Sequence, residues 1–369
     1  MRGSVPVQCA READRAALSE VLQDFPPVDF AFAYGSAVFA QRGYSAEHAR
    51  DAMTDLVFVV QDPCAWHGRN IEMHPRHYSA LALLGPGAVA AVQENIGAGA
   101  YFNTHVSLRG RMWKYGVVSS AAFLDDLHHW STLYISGRMH KPVHVITRGH
   151  VDGNVHHRAA ARNRRSALAA ALLLQPSNFT EADLFRTLCG LSYHGDVRLS
   201  VVESGKVDNI VSAQLPLLRR LYAEAIATAP GISRAVIGTD AASHRLIQPT
   251  GLAHRIALVA QLPINARSHL LGELSGGKST GDTWRGRLFG RAATSGGRYM
   301  EQLDEMLASS VESLWRREDA RADAALQTAL RASLATIVRR ASLGQTLKGV
   351  LSAGGARSFR YVAAKLSKR

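Results

Sequence analysis

Two short segments carry residue types suited to chemistry on a phosphate. Phe32 to Gln41 reads FAYGSAVFAQ, and Thr54 to Val60 reads TDLVFVV. A strand that ends at Gly35-Ser36 and enters a helix offers backbone N–H groups and a hydroxyl to an anion, because helix N-termini favour negative charge. Asp55 opens the second apolar run about twenty positions later. If the two runs pair in a sheet, this carboxylate comes to the Gly-Ser turn, where it can ligate magnesium beside a bound phosphate. The combination suits a nucleotidyltransferase, with Tyr34, Gly35 and Ser36 at the triphosphate and Asp55 at the metal. A tight turn followed by a solvated strand-edge carboxylate describes the same residues.

Other constellations are weaker. His67, His74 and His77 have spacing that could suggest zinc, but no cysteine or fourth ligand lies near them and Pro75 breaks the segment. GELSGGKS, Gly272 to Ser279, fits the P-loop expression literally. A working P-loop follows a buried strand and opens a helix. Pro263, Arg267 and His269 precede this one and Thr280-Gly281-Asp282 follows, so it reads as a coincidence within a glycine-rich stretch. A P-loop ATPase using Lys278 is the competing enzyme class.

The elements that must position these groups follow from periodicity. Val28 to Ala33 alternates as a strand, Asp55 to Val60 is a β-branched buried run, and Tyr101 to Leu108 and Met112 to Ser119 flank the turn-like Arg109-Gly110. Helical patterns cover Arg11 to Asp24, Trp66 to Met73 and Val89 to Ile96, and then dominate from Val155 onward. The expectation is a mixed-sheet α/β (α+β) domain over 1–150 and a helical domain over 151–262. A glycine-rich loop or linker over 263–298 and C-terminal helices with a basic tail over 299–369 complete it.

Composition narrows the class. The chain has 369 residues, 47% of them hydrophobic, and a formal charge of +13. That is ample for a sizeable core and excludes a disordered tail. Cys9, Cys64 and Cys189 are too few and too scattered for a disulfide framework, so a reducing compartment is expected. No apolar run approaches the roughly 20 residues of a membrane span. The first twenty positions include Glu12, Asp14 and Glu20, which suits a helix of the folded body better than a targeting segment. After Asp323 no acidic residue occurs, and nine cations follow, leaving +4 for everything before. Such a tail seeks a polyanion. Leu334, Ile337, Val338 and Ala341, then Leu347, Val350 and Leu351, then Phe359, Val362 and Leu366 give it an apolar face. This face either packs on the protein's own core or lies in an anionic membrane interface. Only Phe359 and Tyr361 interleave aromatic rings with the late cations, which disfavours a nucleic-acid groove.

Taken together and in order, YGSAVFAQRGY, TDLVFVVQDPCAWHGRN, HPRHYS, GAGAYFN, KYGVVS, DLHHWSTLYISGRMHKPV, FTEADLF, GLSYHGDVR and KVDNIV resemble the mitochondrial-type phosphatidate cytidylyltransferases. The resemblance covers about Phe30 to Tyr222 and resumes in GQTLKGVLSAGGARSFRYVAAKLSK. It implies a nucleotidyltransferase fold followed by a helical domain, peripheral on the matrix face of the mitochondrial inner membrane. The implied reaction joins phosphatidic acid and CTP into CDP-diacylglycerol and pyrophosphate with Mg2+, on the route to cardiolipin and phosphatidylglycerol. It places the phosphate turn on Gly35 and Ser36 and the strand carboxylate on Asp55. It suggests Lys114, Arg138, Lys141 and Arg198 as phosphate clamps, and pocket or structural roles for His67, Asn70, His77, Tyr78 and Ser79. Three departures stand out. The second acid of the wider Asp-x-Asp pattern is Val57, so Asp196 in GDVR becomes the candidate for the missing metal ligand. Ala37 replaces a more usual glycine, and VVESGKV replaces the usual Gly-Glu near Glu203.

Overall fold

The computed structural model describes residues 12–39, 53–146, 155–196, 205–236, 244–276, 292–317 and 321–353. In its first part α1 (Glu12–Glu20) leads to β1 (Phe30–Tyr34), and β2 (Thr54–Val60) precedes α2 (Pro63–Met73) and α3 (Pro86–Asn95). Then come β3 (Ala100–Leu108), β4 (Arg111–Ser119), α4 (Ser120–His129), the short α5 (Ser136–Met139) and β5 (His144–Val145). The five strands form one mixed sheet in the order β3-β4-β2-β1-β5, with β2 and β4 parallel and the other pairs antiparallel. Strand side chains alternate between faces. Leu56 and Phe58 of β2 therefore pack with Trp66 of α2 on one side, while Val57 and Val59 pack with Phe123 and Leu127 of α4 on the other.

The second part opens with α6 (Val155–Leu173), whose small residues let it serve two cores. Ala159 and Ala160 lie against the sheet, and Ala167 to Leu173 lie in a larger helical cluster. That cluster also takes in α7 (Glu181–Gly190), α8 (Lys206–Thr228), α9 (Leu252–Val259), α10 (Ile264–Leu274), α11 (Ala292–Arg317) and α12 (Ala322–Ala353). The region expected to be purely helical also contains a small antiparallel sheet, in the order β6 (Asn178–Thr180), β8 (His244–Ile247) and β7 (Ser233–Val236). Strands this short leave too little alternation to read. The expected loop over 263–298 also differs, since it begins with α10 and its last residues belong to α11. Glycine content suggested a loop, but Ala266 and Leu270 are fully buried and hold α10 in place. Gly272 of the P-loop-like motif lies inside α10, so no strand precedes the motif, while Lys278 is outside the described residues. Among the described residues no helix is long and apolar enough to cross a membrane.

α12 returns to the first sheet. Leu334, Ile337, Val338 and Ala341 are buried within the protein, while Arg331, Arg339 and Arg340 are exposed. For this stretch, core packing accounts for the apolar face. Further along, the Gly344 and Gly97 backbones touch: a Cβ added at Gly344 would lie 2.7 Å from the Gly97 Cα. Gln345 bridges the same turn, accepting from Ala98 N–H at 3.2 Å and donating to the Ala100 carbonyl at 3.2 Å. Lys348, counted among the tail cations, is fully buried and donates to the Gln93 and Ala100 carbonyls at 2.7 and 3.1 Å. Phe359, Val362 and Leu366 lie outside the described residues.

Burial pushes the Lys348 ammonium from 10.5 down to about 7. Between those values the unfolded chain holds a proton that the folded chain lacks, so this residue makes stability rise with pH from about 7 towards 10. In urea unfolding at pH 7, 8 and 9, Lys348→Met is expected to flatten that rise by up to about 1 kcal/mol per pH unit. An unchanged slope would assign the effect to other groups.

Candidate active site

Sheet register brings three predicted residues into one row. Tyr34 pairs with Asp55 across β1 and β2, and Asp55 pairs with Lys114 across β2 and β4. All three belong to the face that carries Val57, Val59 and Phe102. The Lys114 ammonium donates to Asp55 Oδ1 at 2.5 Å, with both side chains about one-quarter exposed or less. Gly35 follows directly on β1 with φ +88°, and a Cβ there would lie 3.2 Å from Asp55 Oδ2. Glycine therefore meets both the left-handed backbone and the close approach of the carboxylate. Val38 and Phe39 N–H donate back to the Gly35 carbonyl at 3.1 and 3.0 Å, winding Ser36 into a turn at the strand end. A helix is expected from Ser36 onward; residues 36–39 form a turn instead, and residues 40–52 lie outside the described residues.

Arg138 closes the row from above. Its guanidinium lies 3.9 Å from the Tyr134 ring centre and 5.2 Å from that of Tyr34, with Phe102 at 6.0 Å. Lys114 lies 5.2 Å from the same Phe102 ring. Aromatic faces thus flank both cations, which restricts them without neutralising them. Burial, reinforced by the neighbouring Asp55, raises the Tyr34 hydroxyl above its ordinary 10, so it stays a neutral donor near neutral pH.

The segment carrying Arg138 is held by groups that the sequence did not mark. Asp126, 4% exposed at the end of α4, accepts from Thr132 N–H and Oγ1 and from Leu133 N–H on Oδ1. Its Oδ2 accepts from Ile135 and Ser136 N–H at 2.9 and 2.8 Å. Asn163 of α6 adds a second brace, accepting from Trp130 Nε1 at 2.8 Å and donating to the Ser136 carbonyl at 3.0 Å. Tyr222 of α8 donates to the His140 carbonyl at 2.9 Å. The available signals were DLHHWSTLYISGR and KVDNIV as ordered motifs, not any one spacing.

Lys141 lies one turn beyond Arg138. Its ammonium donates to the Gly137 carbonyl at 2.7 Å and to Ser192 Oγ at 3.2 Å, and sits 4.6 Å from the Tyr193 ring centre. Burial pushes it down to about 8, with Arg138 and Lys206 adding to the effect against the Cys189 thiol. Asp196 is buried, and its Oδ1 accepts from Ser342 of α12 at 2.6 Å. Arg198 lies outside the described residues. Among the described residues no group of three or more His, Cys, Asp or Glu side chains comes together as a metal centre.

The suspect histidines have structural partners on the opposite face. His67 bonds Tyr78 and Gln93, and burial pushes it down to about 4. His74 reaches the Asp24 carbonyl, while His77 and Asn70 reach the Tyr115 hydroxyl.

A family model described as "Phosphatidate cytidylyltransferase, mitochondrial" matches residues 18–368. The chain belongs to this family. The mitochondrial phosphatidate cytidylyltransferase of Xenopus laevis is 47% identical over 212 residues, 57% of this chain and 62% of that protein. Its counterpart in Mus musculus is 45% identical over 208 residues, 56% of this chain and 60% of that protein. The relative in Schizosaccharomyces pombe is 42% identical over 218 residues, 58% of this chain and 54% of that protein. The chain thus spans about three fifths of the length of the curated phosphatidate cytidylyltransferases it matches.

Asp126 provides a test of how this site is held. Asp126→Ala would leave four backbone N–H groups and a hydroxyl without their acceptor. A loss of about 3 kcal/mol of stability is expected in urea unfolding. A change under 1 kcal/mol would show that water or a neighbour replaces the carboxylate.

Proposed function

We propose that the protein transfers CMP from CTP to phosphatidic acid, giving CDP-diacylglycerol and pyrophosphate. The observation that carries this reading is the row Tyr34–Asp55–Lys114 with Gly35 at its end, in a chain of the phosphatidate cytidylyltransferase family. Both substrates are anions, so the work of the site is to bring like charges together. Gly35 and Ser36 receive the triphosphate at the strand end, where no side chain at Gly35 obstructs it. Lys114 and Arg138 lower the cost of the approach and of the charge that develops on departing pyrophosphate. Lys114 starts paired to Asp55, which keeps its ammonium at the row before nucleotide arrives. The acceptor phosphate is already ionised near neutral pH, so no strong general base is required.

Magnesium fits this donor set in a limited way. Asp55 is a hard oxygen ligand whose Oδ2 lies 3.2 Å from where a Cβ at Gly35 would stand, and Mg2+ is commonly held by one or two carboxylates with phosphate oxygens and water. When bound it would supply charge neutralisation on the phosphates. Asp55 would hold it, and Asp196 remains the proposed second ligand, reached from the segment fixed by Ser342. The relatives' names carry the word mitochondrial, and on that basis we propose the same setting for this chain, at the matrix side of the inner membrane. Peripheral attachment to an anionic membrane surface is proposed for residues 354–369, which hold five cations and no acid. Nothing in the described residues favours a P-loop ATPase or a nucleic-acid partner.

The decisive assay incubates purified protein with labelled CTP, magnesium and phosphatidic acid vesicles. CDP-diacylglycerol should form, and Asp55→Ala should lower the rate by about a thousandfold, while Lys278→Ala leaves it unchanged. Absence of product, or full activity of Asp55→Ala, would overturn the reading. For the tail, truncation after Ala353 keeps the packed Gln345 and Lys348. It should reduce flotation with anionic vesicles without changing the unfolding transition, and unchanged flotation would remove the tail from membrane attachment.

A further inference from the structure

Two cations of the site lean on one ring. Lys114 lies 5.2 Å and Arg138 lies 6.0 Å from the centre of the buried Phe102 ring. The three come from separate elements, Lys114 from β4, Phe102 from β3 and Arg138 from α5. Register explains how the ring gets there. Phe102 pairs with Gly116 across β3 and β4, and a Cβ at Gly116 would fall 2.4, 2.8 and 2.9 Å from three atoms of that ring. A glycine inside a strand gives up packing and costs backbone entropy, and it marks places where another group must approach the backbone closely. Here that group is the ring, which lies against the bare backbone of β4, on the same face as Asp55 and two residues from Lys114. Tyr134 meets the Phe102 ring edge-on, with centres 6.1 Å apart and planes at 72°, and carries the Arg138 guanidinium 3.9 Å from its own centre. Arg138 Nη1 also donates to the Tyr134 carbonyl at 2.5 Å.

We infer that Phe102, seated on Gly116, is a positioning residue for cytidylyl transfer: its ring keeps the Lys114 and Arg138 charges in place for the phosphates that meet there. The inference rests on the cytidylyl-transfer reading above. Asp55 reaches Lys114 from β2, and Phe102 reaches it from β3. The two contacts differ in what they leave behind. A carboxylate cancels the ammonium's charge, whereas the negative face of a ring attracts a cation and leaves that charge available to an arriving phosphate. A leucine would fill much of the same space without the attraction. One ring near two cations also ties their positions together. Like charges repel, so a shared electron-rich ring lowers the cost of having both ready before an anion arrives. Phe102 touches no reacting atom and acts through the two cations.

Ring-fluorinated phenylalanines incorporated in place of Phe102 separate charge from packing. Mono-, di- and trifluoro rings keep nearly the same shape and stay apolar, while their faces lose negative potential step by step. In the full-length protein, with phosphatidic acid vesicles, kcat/KM for CTP should fall along the series and reach about a tenfold loss with the trifluoro ring, the size of two moderate cation–π contacts. The urea midpoint should not fall with it. Phe102→Leu should lose at least as much activity. An unchanged kcat/KM across the fluorinated series would overturn the inference, and so would a loss of activity that follows a loss of stability in proportion, since the ring would then serve packing alone. A wild type that makes no CDP-diacylglycerol would instead remove the reading on which the role rests.

Discussion

Five hydrogen bonds onto one buried carboxylate, Asp126, hold the segment 132–136 that delivers Arg138 to the sheet. A loop of this kind would otherwise bury several N–H groups with nothing to accept them, at a cost of about 1–3 kcal/mol each. A carboxylate with two oxygens solves the problem at one point, and Asn163 and Tyr222 extend the solution to Trp130, Ser136 and His140. The rest of the proposed chemistry depends on this constraint. Without it Arg138 could not keep its place over Tyr34, and Lys141 would lose its register with Ser192.

The groups proposed to handle the phosphates divide into two kinds. Negative side chains fix the backbone, as Asp126 does, while the cations at the site meet mainly neutral partners. Lys114 is the exception, paired to Asp55 at 2.5 Å. Arg138 and Lys141 rest on aromatic rings, carbonyls and a hydroxyl. Such contacts orient a cation without cancelling its charge, and a preorganised charge is worth more to an arriving phosphate than one that must first break a salt bridge. The surface pairs elsewhere, such as Arg186 with Asp183 and Asp208, carry no comparable implication because solvent screens them.

Much of the first sheet was legible because its strands are long or strongly patterned. TDLVFVV could not sit in a helix face, and Arg109-Gly110 marked the β3–β4 turn. The approach of Asp55 to the Gly35 end of β1 was expected if the two runs paired in a sheet, and the antiparallel pairing of β1 with β2 brings it about. Legibility failed where the determinant was tertiary. Asp126 looks like a solvated helix residue beside Asp125, and nothing in its spacing announces five donors 6 to 10 residues on. The small sheet of β6, β7 and β8 was missed because three- and four-residue strands carry no periodic signal. α10 was missed because neighbouring glycines outweighed Ala266, Leu270 and Leu271.

The basic C-terminal region shows why net charge alone could not assign its partner. Within one helix, α12, cations meet different conditions according to the face they occupy. Arg331, Arg339 and Arg340 stand in solvent opposite a buried apolar stripe, so that stripe is already spent on the protein's own core. Lys348 lies inside, against two carbonyls, and its charge is a liability that neutralisation relieves. The five cations past Ala353 lie outside the described residues. The helix therefore joins three things in series: the helical core, the Asp196 segment through Ser342, and the β3 entrance through Gln345 and Lys348.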